Sequence, residues 1–198
     1  MSATIVCPTL DLAAAAEVCH QAASLAGIPT AIILVVDLER RGGVIPGNAA
    51  LAGAVQLNSP YIAYLNDDVV ITQQGWLKRL VEVLESNSTY GIAAPSGPCR
   101  TPPQNKGKPG MARNVVVVDK PLVWFCAAIR TELFKQLGLF DPRYIHYADE
   151  SDFTQRAFAA GWKNVWVQDV WVGHEGDGGW ISDWRAHDVA EYRKKWKQ

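Results

Sequence analysis

The 198-residue sequence lacks any run approaching the ~20 consecutive apolar residues that a bilayer-spanning helix needs. That excludes a transmembrane segment and leaves room only for peripheral contact with a membrane. It also lacks an excess of either charge. Nineteen basic and 20 acidic side chains give a formal net charge of -1, so no global field points to a nucleic-acid partner. Cysteine is sparse: Cys7, Cys19, Cys99 and Cys126 form no CxxC pair. A structural zinc site is therefore poorly supported, and buried free thiols are the simpler reading. The first residues, MSATIVCPTLD, lack a basic start and a signal-like apolar run with a cleavage site. The expectation is a soluble cytoplasmic protein.

What is present is ordinary globular composition, 48% hydrophobic and 20% charged, in a chain long enough for one domain with a real core. Tryptophan is abundant. Of the eight, Trp162, Trp166, Trp171, Trp180, Trp184 and Trp196 stand in the last part of the chain. Some belong to a core, and others suit a sugar ligand, because sugar faces stack on indole.

The apolar pattern alternates strand and helix through the first half. ATIVCPTL predicts a strand, Asp11 an N-cap and LAAAAEVCHQAASLAG a helix ended by Gly27 and Pro29. TAIILVVD predicts a second strand buried on both faces, which makes a βαβ unit with parallel strands. LERRGGVIPG reads as a loop, NAALAGAVQLN as a helix, YIAYLNDD as a third strand, QQGWLKRLVEVLESN as an amphipathic helix and YGIAAPS as a fourth strand. Residues 96 to 114 are rich in Pro, Gly, Lys and Arg, which predicts a long mobile loop. Its basic residues Arg100, Lys106, Lys108 and Arg113 suit either a solvated excursion or a lid or acceptor arm. VVVVD and LVWFCAAI read as strands, TELFKQLG and DFTQRAFAAG as helices, KNVWVQDVWVGH as strand-rich and the tail from about Ser182 as a helix. No repeat or linker divides the chain. The pattern predicts one α/β domain with a mainly parallel central sheet flanked by helices and a small antiparallel extension.

In such sheets ligands sit beyond the C-terminal strand ends. That rule gathers Thr9, Asp37 and the pair Asp67-Asp68 onto one edge. Two adjacent acids after a buried strand suit either a turn or a hard divalent ion such as Mg²⁺ or Mn²⁺. His174, in a Gly-rich loop after another apolar strand, adds weight to the ion. A second cluster, HYADESDFTQRAFAAGW, sets Asp149, Glu150 and Asp152 ahead of a helix. Asp152 suits the helix N-terminus, whereas Asp149 and Glu150 fall in an aromatic-rich turn, where a shielded carboxylate could act as a general base. Trp124, at the start of a strand-like run, suits either the core or an acceptor floor. Trp180, just past the Gly-rich loop, suits stacking on a substrate.

These segments together resemble the glycosyltransferases of family 2, the inverting group with the GT-A nucleotide-diphospho-sugar transferase fold. ATIVCPTLD is similar to the family's first strand and AIILVVD to its second. NAALAGAVQLNSPYIAYLNDDV resembles the helix and strand leading to its Asp-any-Asp metal motif. LFKQLGLFDPRYIHYADESDFTQRAFAAGWKNVWVQDVWVGHEGDGG resembles the acceptor-side segment, nearest to rhamnosyltransferase-like members.

The resemblance implies one domain over residues 1–198, with a nucleotide-sugar-binding half at 1–95 and an acceptor and catalytic half at 96–198. It implies a donor linked to UDP, dTDP or GDP, a glycan or glycoconjugate acceptor, and Mn²⁺ or Mg²⁺. Thr9 and Asp37 would contact the base and ribose side, Asn48 would lie near the donor pocket, and Asp67 would contact the ribose or sugar. Asp68 and His174 would hold the metal. Glu150 takes the base position of a family Glu-Asp pair that here reads Asp149-Glu150, so either acid could reach the acceptor. Leu38-Glu39-Arg40-Arg41 replaces the family's Asp-Gly-Ser-Thr after the second strand.

Two other readings compete. One is a catalytically weak sugar-nucleotide or glycan-binding module of the same fold. The other is a nucleotidyltransferase, which ranks lower because PTLDLAAAAE lacks a GxGxR-like signature.

Overall fold

The computed structural model describes residues 1–99, 102–174 and 182–197. Its centre is a seven-stranded sheet in the order β2-β1-β3-β7-β5-β8-β6. The strands are β1 (Ala3–Thr9), β2 (Thr30–Val36), β3 (Tyr61–Leu65), β5 (Tyr90–Ser96), β6 (Val115–Val118), β7 (Cys126–Arg130) and β8 (Lys163–Trp171). β1 pairs in parallel with β2 and β3, and β5 with β8; β7 is antiparallel to both β3 and β5, and β6 to β8. Five strands thus point one way. The antiparallel strands are interleaved, with β7 inside the sheet and β6 at its edge. β4 (Val69–Val70) and β9 (Gly173–His174) form a separate two-stranded antiparallel ribbon.

Period-two alternation feeds two core layers. Ile5, Cys7, Tyr61, Ala63, Leu65, Cys126 and Ala128 face one layer; Val6, Ile62, Tyr64, Ala127 and Ile129 face the other. The first layer is closed by α1 (Leu12–Leu25) and α3 (Trp76–Glu85). Asp11 caps α1 as its sequence position predicts, accepting from the backbone N–H of Ala13 at 2.9 Å and Ala14 at 3.1 Å. α3 buries Trp76, Leu77, Leu80, Val81 and Leu84 along one stripe. The second layer is closed by α2 (Val44–Gln56), α4 (Thr131–Leu137) and α5 (Asp149–Ala159). The C-terminal helix is α6 (Ser182–Trp196).

Several boundaries differ from the sequence expectation. α2 begins at Val44, inside the stretch read as a loop, because Pro46 is tolerated in a first turn that has no intrahelical N–H partner to lose. β7 begins only at Cys126, so Trp124 precedes the strand. Residues 104–106 form a short 3-10 turn within the long basic loop. Gln104 pins that turn: its amide nitrogen donates to the carbonyls of Pro95 and Val123, and its oxygen accepts from Val123 N–H at 2.8 Å. α5 begins at Asp149, so Asp149 and Glu150 open the helix instead of preceding it. Ala148, in the left-handed conformation at φ 62°, makes the sharp entry, and three acids in the first turn complement the helix dipole.

Candidate functional site

Parallel strands put their C-terminal ends on one edge, and that edge opens into a cavity of about 910 Å³. Thr9 ends β1, Asp37 follows β2, and Asn66, Asp67 and Asp68 follow β3. His174 ends the β9 strand beyond β8. β7 runs the opposite way, so its N-terminal side brings Trp124 and Phe125 to the same rim. Asp149 and Glu150, from the start of α5, complete the opposite wall.

The carboxylates are held differently. Thr9 Oγ1 donates to Asp67 Oδ2, tying the ends of β1 and β3. Asp37 is buried at 3% exposure and accepts from the backbone N–H and, at 3.2 Å, the Nε of Arg41. The Leu38–Arg41 departure is thus partly a turn that closes on Asp37. Asp68 Oδ1 is buried and lacks an aligned hydrogen bond, yet it lies 3.1 Å from His174 Nε2. Asn66 Nδ2 is 3.4 Å from the same nitrogen, and the Phe125 ring stacks on the imidazole at 5.2 Å.

A carboxylate oxygen abutting an imidazole nitrogen, at a rim open to the cavity, is a donor set that Mn²⁺ or Mg²⁺ accepts. No group of three or more His, Cys, Asp and Glu side chains with metal-site spacing occurs among the described residues. Two protein ligands are nevertheless a normal complement for an ion that takes its other oxygens from phosphate.

Asp149 is buried, and its Oδ1 has no hydrogen-bond partner. Burial first, then the charge of Glu150 and a hydrogen bond with it, push the Asp149 carboxyl well above the usual carboxylate range. Asp149 is thus the member of the pair shifted toward its protonated form, and Glu150 sits beside it, half-buried.

The turn before these acids is fixed by a residue the sequence reading passed over. Asp188 of α6 is fully buried and accepts from the backbone N–H groups of Ile145, His146 and Tyr147 at 2.8 to 3.2 Å. Burial alone would raise its pKa, but the His187 ring and these three N–H groups bring it below the ordinary value. On the other side, Gly42 and Gly43 let the backbone approach this turn closely. A Cβ on Gly42 would lie 2.3 Å from the Ile145 carbonyl, and one on Gly43 2.9 Å from His146 Nδ1.

The structure brings together Thr9, Asp37, Asp67, Asp68, Trp124, Asp149, Glu150 and His174. Asn48 is not among them. Its side chain donates to the Phe140 carbonyl at 3.0 Å and accepts from the Phe140 N–H at 2.9 Å, so both amide atoms clamp the segment after α4. Asn48 therefore does not line the cavity itself, but holds Phe140, which does. Trp124 is 3% exposed and packs on Tyr64, Phe140 and Phe153, so it is core as well as cavity floor. Trp180 and Arg100 lie outside the described residues. His146, Tyr147 and Trp184 also line the cavity; only the aromatic richness of the 144–147 turn hinted at the first two.

No protein-family model matches the chain. Over 59 residues it is 36% identical to the N-acetylglucosaminyl-diphospho-decaprenol L-rhamnosyltransferase of Mycobacterium tuberculosis, found in two strains; the match takes in 28% of this chain and 19% of that protein. Among solved structures the chain is similar to GalNAc-T7, crystallised with UDP, GalNAc and Mn²⁺, at a TM-score of 0.66 and 14% identity. It is also similar to TarS of S. aureus, at a TM-score of 0.55 and 14% identity. Each comparison covers 88% of this chain, but only 44% of the first structure and 60% of the second. The match to the curated relative spans about a fifth of that protein's length. The architecture matches a GT-A fold: a mostly parallel central sheet flanked by helices, with a small antiparallel sheet.

Proposed function

We propose that this chain is the catalytic domain of a metal-dependent, inverting glycosyltransferase that moves a sugar from a nucleoside-diphosphate sugar to an acceptor hydroxyl. The observation that carries the reading is the meeting of two pairs in one cavity: Asp68 with His174, and Asp149 with Glu150. The names of the similar proteins support the finer points. One is a rhamnosyltransferase named for a diphospholipid-linked N-acetylglucosamine, which favours a hexosyl or deoxyhexosyl donor and a glycoconjugate acceptor. Another was crystallised with UDP and Mn²⁺, which favours those partners here.

In this reading residues 1–95 supply the donor side, through Thr9, Asp37 and Asp67, and residues 96–198 supply the acceptor and catalytic side. Glu150 takes the proton from the acceptor hydroxyl as its oxygen bonds the anomeric carbon, and the bond to the diphosphate breaks on the opposite face. Asp149, by keeping its own proton, leaves Glu150 as the acid of the pair that acts as base. Asp68 and His174 would hold Mn²⁺ or Mg²⁺. Such an ion, when bound, supplies positive charge against the leaving diphosphate. It would also offset the carboxylates of Asp37, Asp67, Asp68 and Glu150 in the cavity wall, which would otherwise repel a diphosphate. The buried thiols of Cys7, Cys19 and Cys126 fit a reducing cytoplasm, and no helix among the described residues is long and apolar enough to cross a membrane.

The test is purified protein with Mn²⁺ and a panel of UDP-, dTDP- and GDP-linked sugars, followed by mass spectrometry. Release of nucleoside diphosphate, accelerated by a glycoside acceptor and lost in Glu150→Gln, is expected. Neither release nor nucleotide binding with any donor would overturn the proposal; binding without turnover would favour the sugar-nucleotide-binding module.

A further inference from the structure

Helix α6 carries aromatic and acidic side chains at every fourth position: Trp184, Asp188, Tyr192 and Trp196. Four-residue spacing places them along one side of a helix. Three of them meet the body of the protein. Asp188 is fully buried against the 145–147 turn, Tyr192 packs on the second core layer, and the Trp196 indole N–H donates to Asp152 at 2.9 Å. The same stripe therefore faces inward at Trp184. There it meets the cavity, which Trp184 lines.

Trp184 does not stand alone. Its ring lies 6.0 Å from His146, tilted by 49°, and His146 meets Tyr147 edge-to-face at 4.8 Å. All three line the cavity next to Asp149 and Glu150, which follow Tyr147 in the chain after a single residue. The wall is rigidly backed. Asp188 takes three successive N–H groups of the turn, and Gly42 and Gly43 pack closely against Ile145 and His146 from the other side. A core would cover such rings completely, yet Trp184 and Tyr147 are only half-buried and His146 is exposed.

An aromatic wall with polar edges, ending at a carboxylate pair, matches one ligand chemistry closely. A pyranose presents a C–H face that stacks on indole and a rim of hydroxyls that a carboxylate can accept from. A lipid tail would waste the carboxylates, and a peptide side chain would not need three rings. We propose that Trp184, His146 and Tyr147 form the acceptor subsite and take a pyranose ring, so that one of its hydroxyls is presented to Glu150. The inference rests on the glycosyltransferase reading and adds to it the residues that recognise the sugar ring of the acceptor.

The experiment compares wild type, Trp184→Phe and Trp184→Ala by saturation-transfer NMR titration. Octyl N-acetyl-β-D-glucosaminide and methyl α-L-rhamnoside are the acceptor probes, and UDP with Mn²⁺ is the donor probe. Thermal melts show that each variant is folded, and Trp184→Phe, which keeps a ring, serves if the alanine variant unfolds. The expected result is saturation of C–H protons on one sugar face. Glycoside affinity should fall about tenfold or more in Trp184→Ala, which corresponds to the ~1.4 kcal/mol scale of an aromatic contact, and by less in Trp184→Phe. UDP affinity should change less than twofold. Unchanged glycoside binding beside intact UDP binding would overturn the acceptor subsite while leaving the glycosyltransferase reading in place. A loss of UDP affinity with glycoside binding retained would assign the rings to the donor and also overturn it. A wild-type protein that binds neither probe would overturn both.

Discussion

His174 Nε2 lies 3.1 Å from Asp68 Oδ1, although the two residues come from opposite halves of the chain. The β4–β9 ribbon makes this contact by pairing Val69 directly with His174, which sets Asp68 beside the imidazole. Asp68→Asn and His174→Ala should each weaken Mn²⁺ binding in the presence of UDP by at least about tenfold, since each would remove one of the two side chains proposed to hold the ion. Isothermal titration of Mn²⁺ reads this without any turnover. EDTA should abolish transfer, and Mn²⁺ should restore it in the wild type alone.

Glu150→Gln keeps shape and hydrogen-bonding reach but cannot take a proton. Its transfer rate should fall by about 10² to 10⁴, the range that a positioned base supplies. UDP affinity should stay near that of the wild type, because the loss lies in the chemical step. A rate within a few-fold of wild type would move the base role to another group.

Asn48→Leu tests the amide clamp on Phe140. The substitution leaves the Phe140 N–H and carbonyl without their partners, and buried unpaired groups of this kind cost about 1–3 kcal/mol. Thermal stability should drop while UDP affinity holds. A selective loss of UDP affinity in a protein of unchanged stability would place Asn48 at the donor pocket instead.

The strand ends were legible because one physical rule governs them. Apolar runs that stop at Thr9, Asp37 and Asn66-Asp67-Asp68 had to be strands, and parallel strands had to put those residues on one edge. What could not be read was anything set by long-range packing. Asn48 sits on a helix that reads the same whether its amide meets a ligand or the Phe140 backbone. Asp188 lies in a polar helix, and nothing local says that its carboxylate meets a turn some forty residues earlier. The start of α5 was misplaced because Ala148 adopts a left-handed conformation unusual for its type.

Asp188→Ala should strand three N–H groups of the turn before the acids and lower stability by at least about 2 kcal/mol. The pH dependence has a definite sign. The folded pKa of Asp188 is depressed, so its stabilisation is present above the unfolded carboxylate value and is lost as pH falls through the folded one. Wild type and variant should therefore differ most near neutrality and converge in acid. Because the turn leads into Glu150, Asp188→Glu should fold better than the alanine variant yet lose kcat more than donor affinity.

Asp149 carries the opposite sign, and its test separates stability from activity. Its folded pKa lies above the unfolded one, chiefly because the carboxyl is buried and next because Glu150 is charged beside it. Its contribution is fully present below the unfolded value and is lost as pH rises through the folded one, so near neutrality the side chain works against folding. Asparagine has nearly the same shape and no proton to lose. Asp149→Asn should raise the melting temperature, by a margin that grows as pH rises above the ordinary carboxylate range. Its transfer activity should change at the same time, because Glu150 loses the carboxyl with which it shares a hydrogen bond. Such a trade of stability for function is common where titratable groups are buried at a working site. A margin that stays flat with pH would mean that Asp149 is ionised in the folded protein, and the division of roles between the two acids would then have to be reversed.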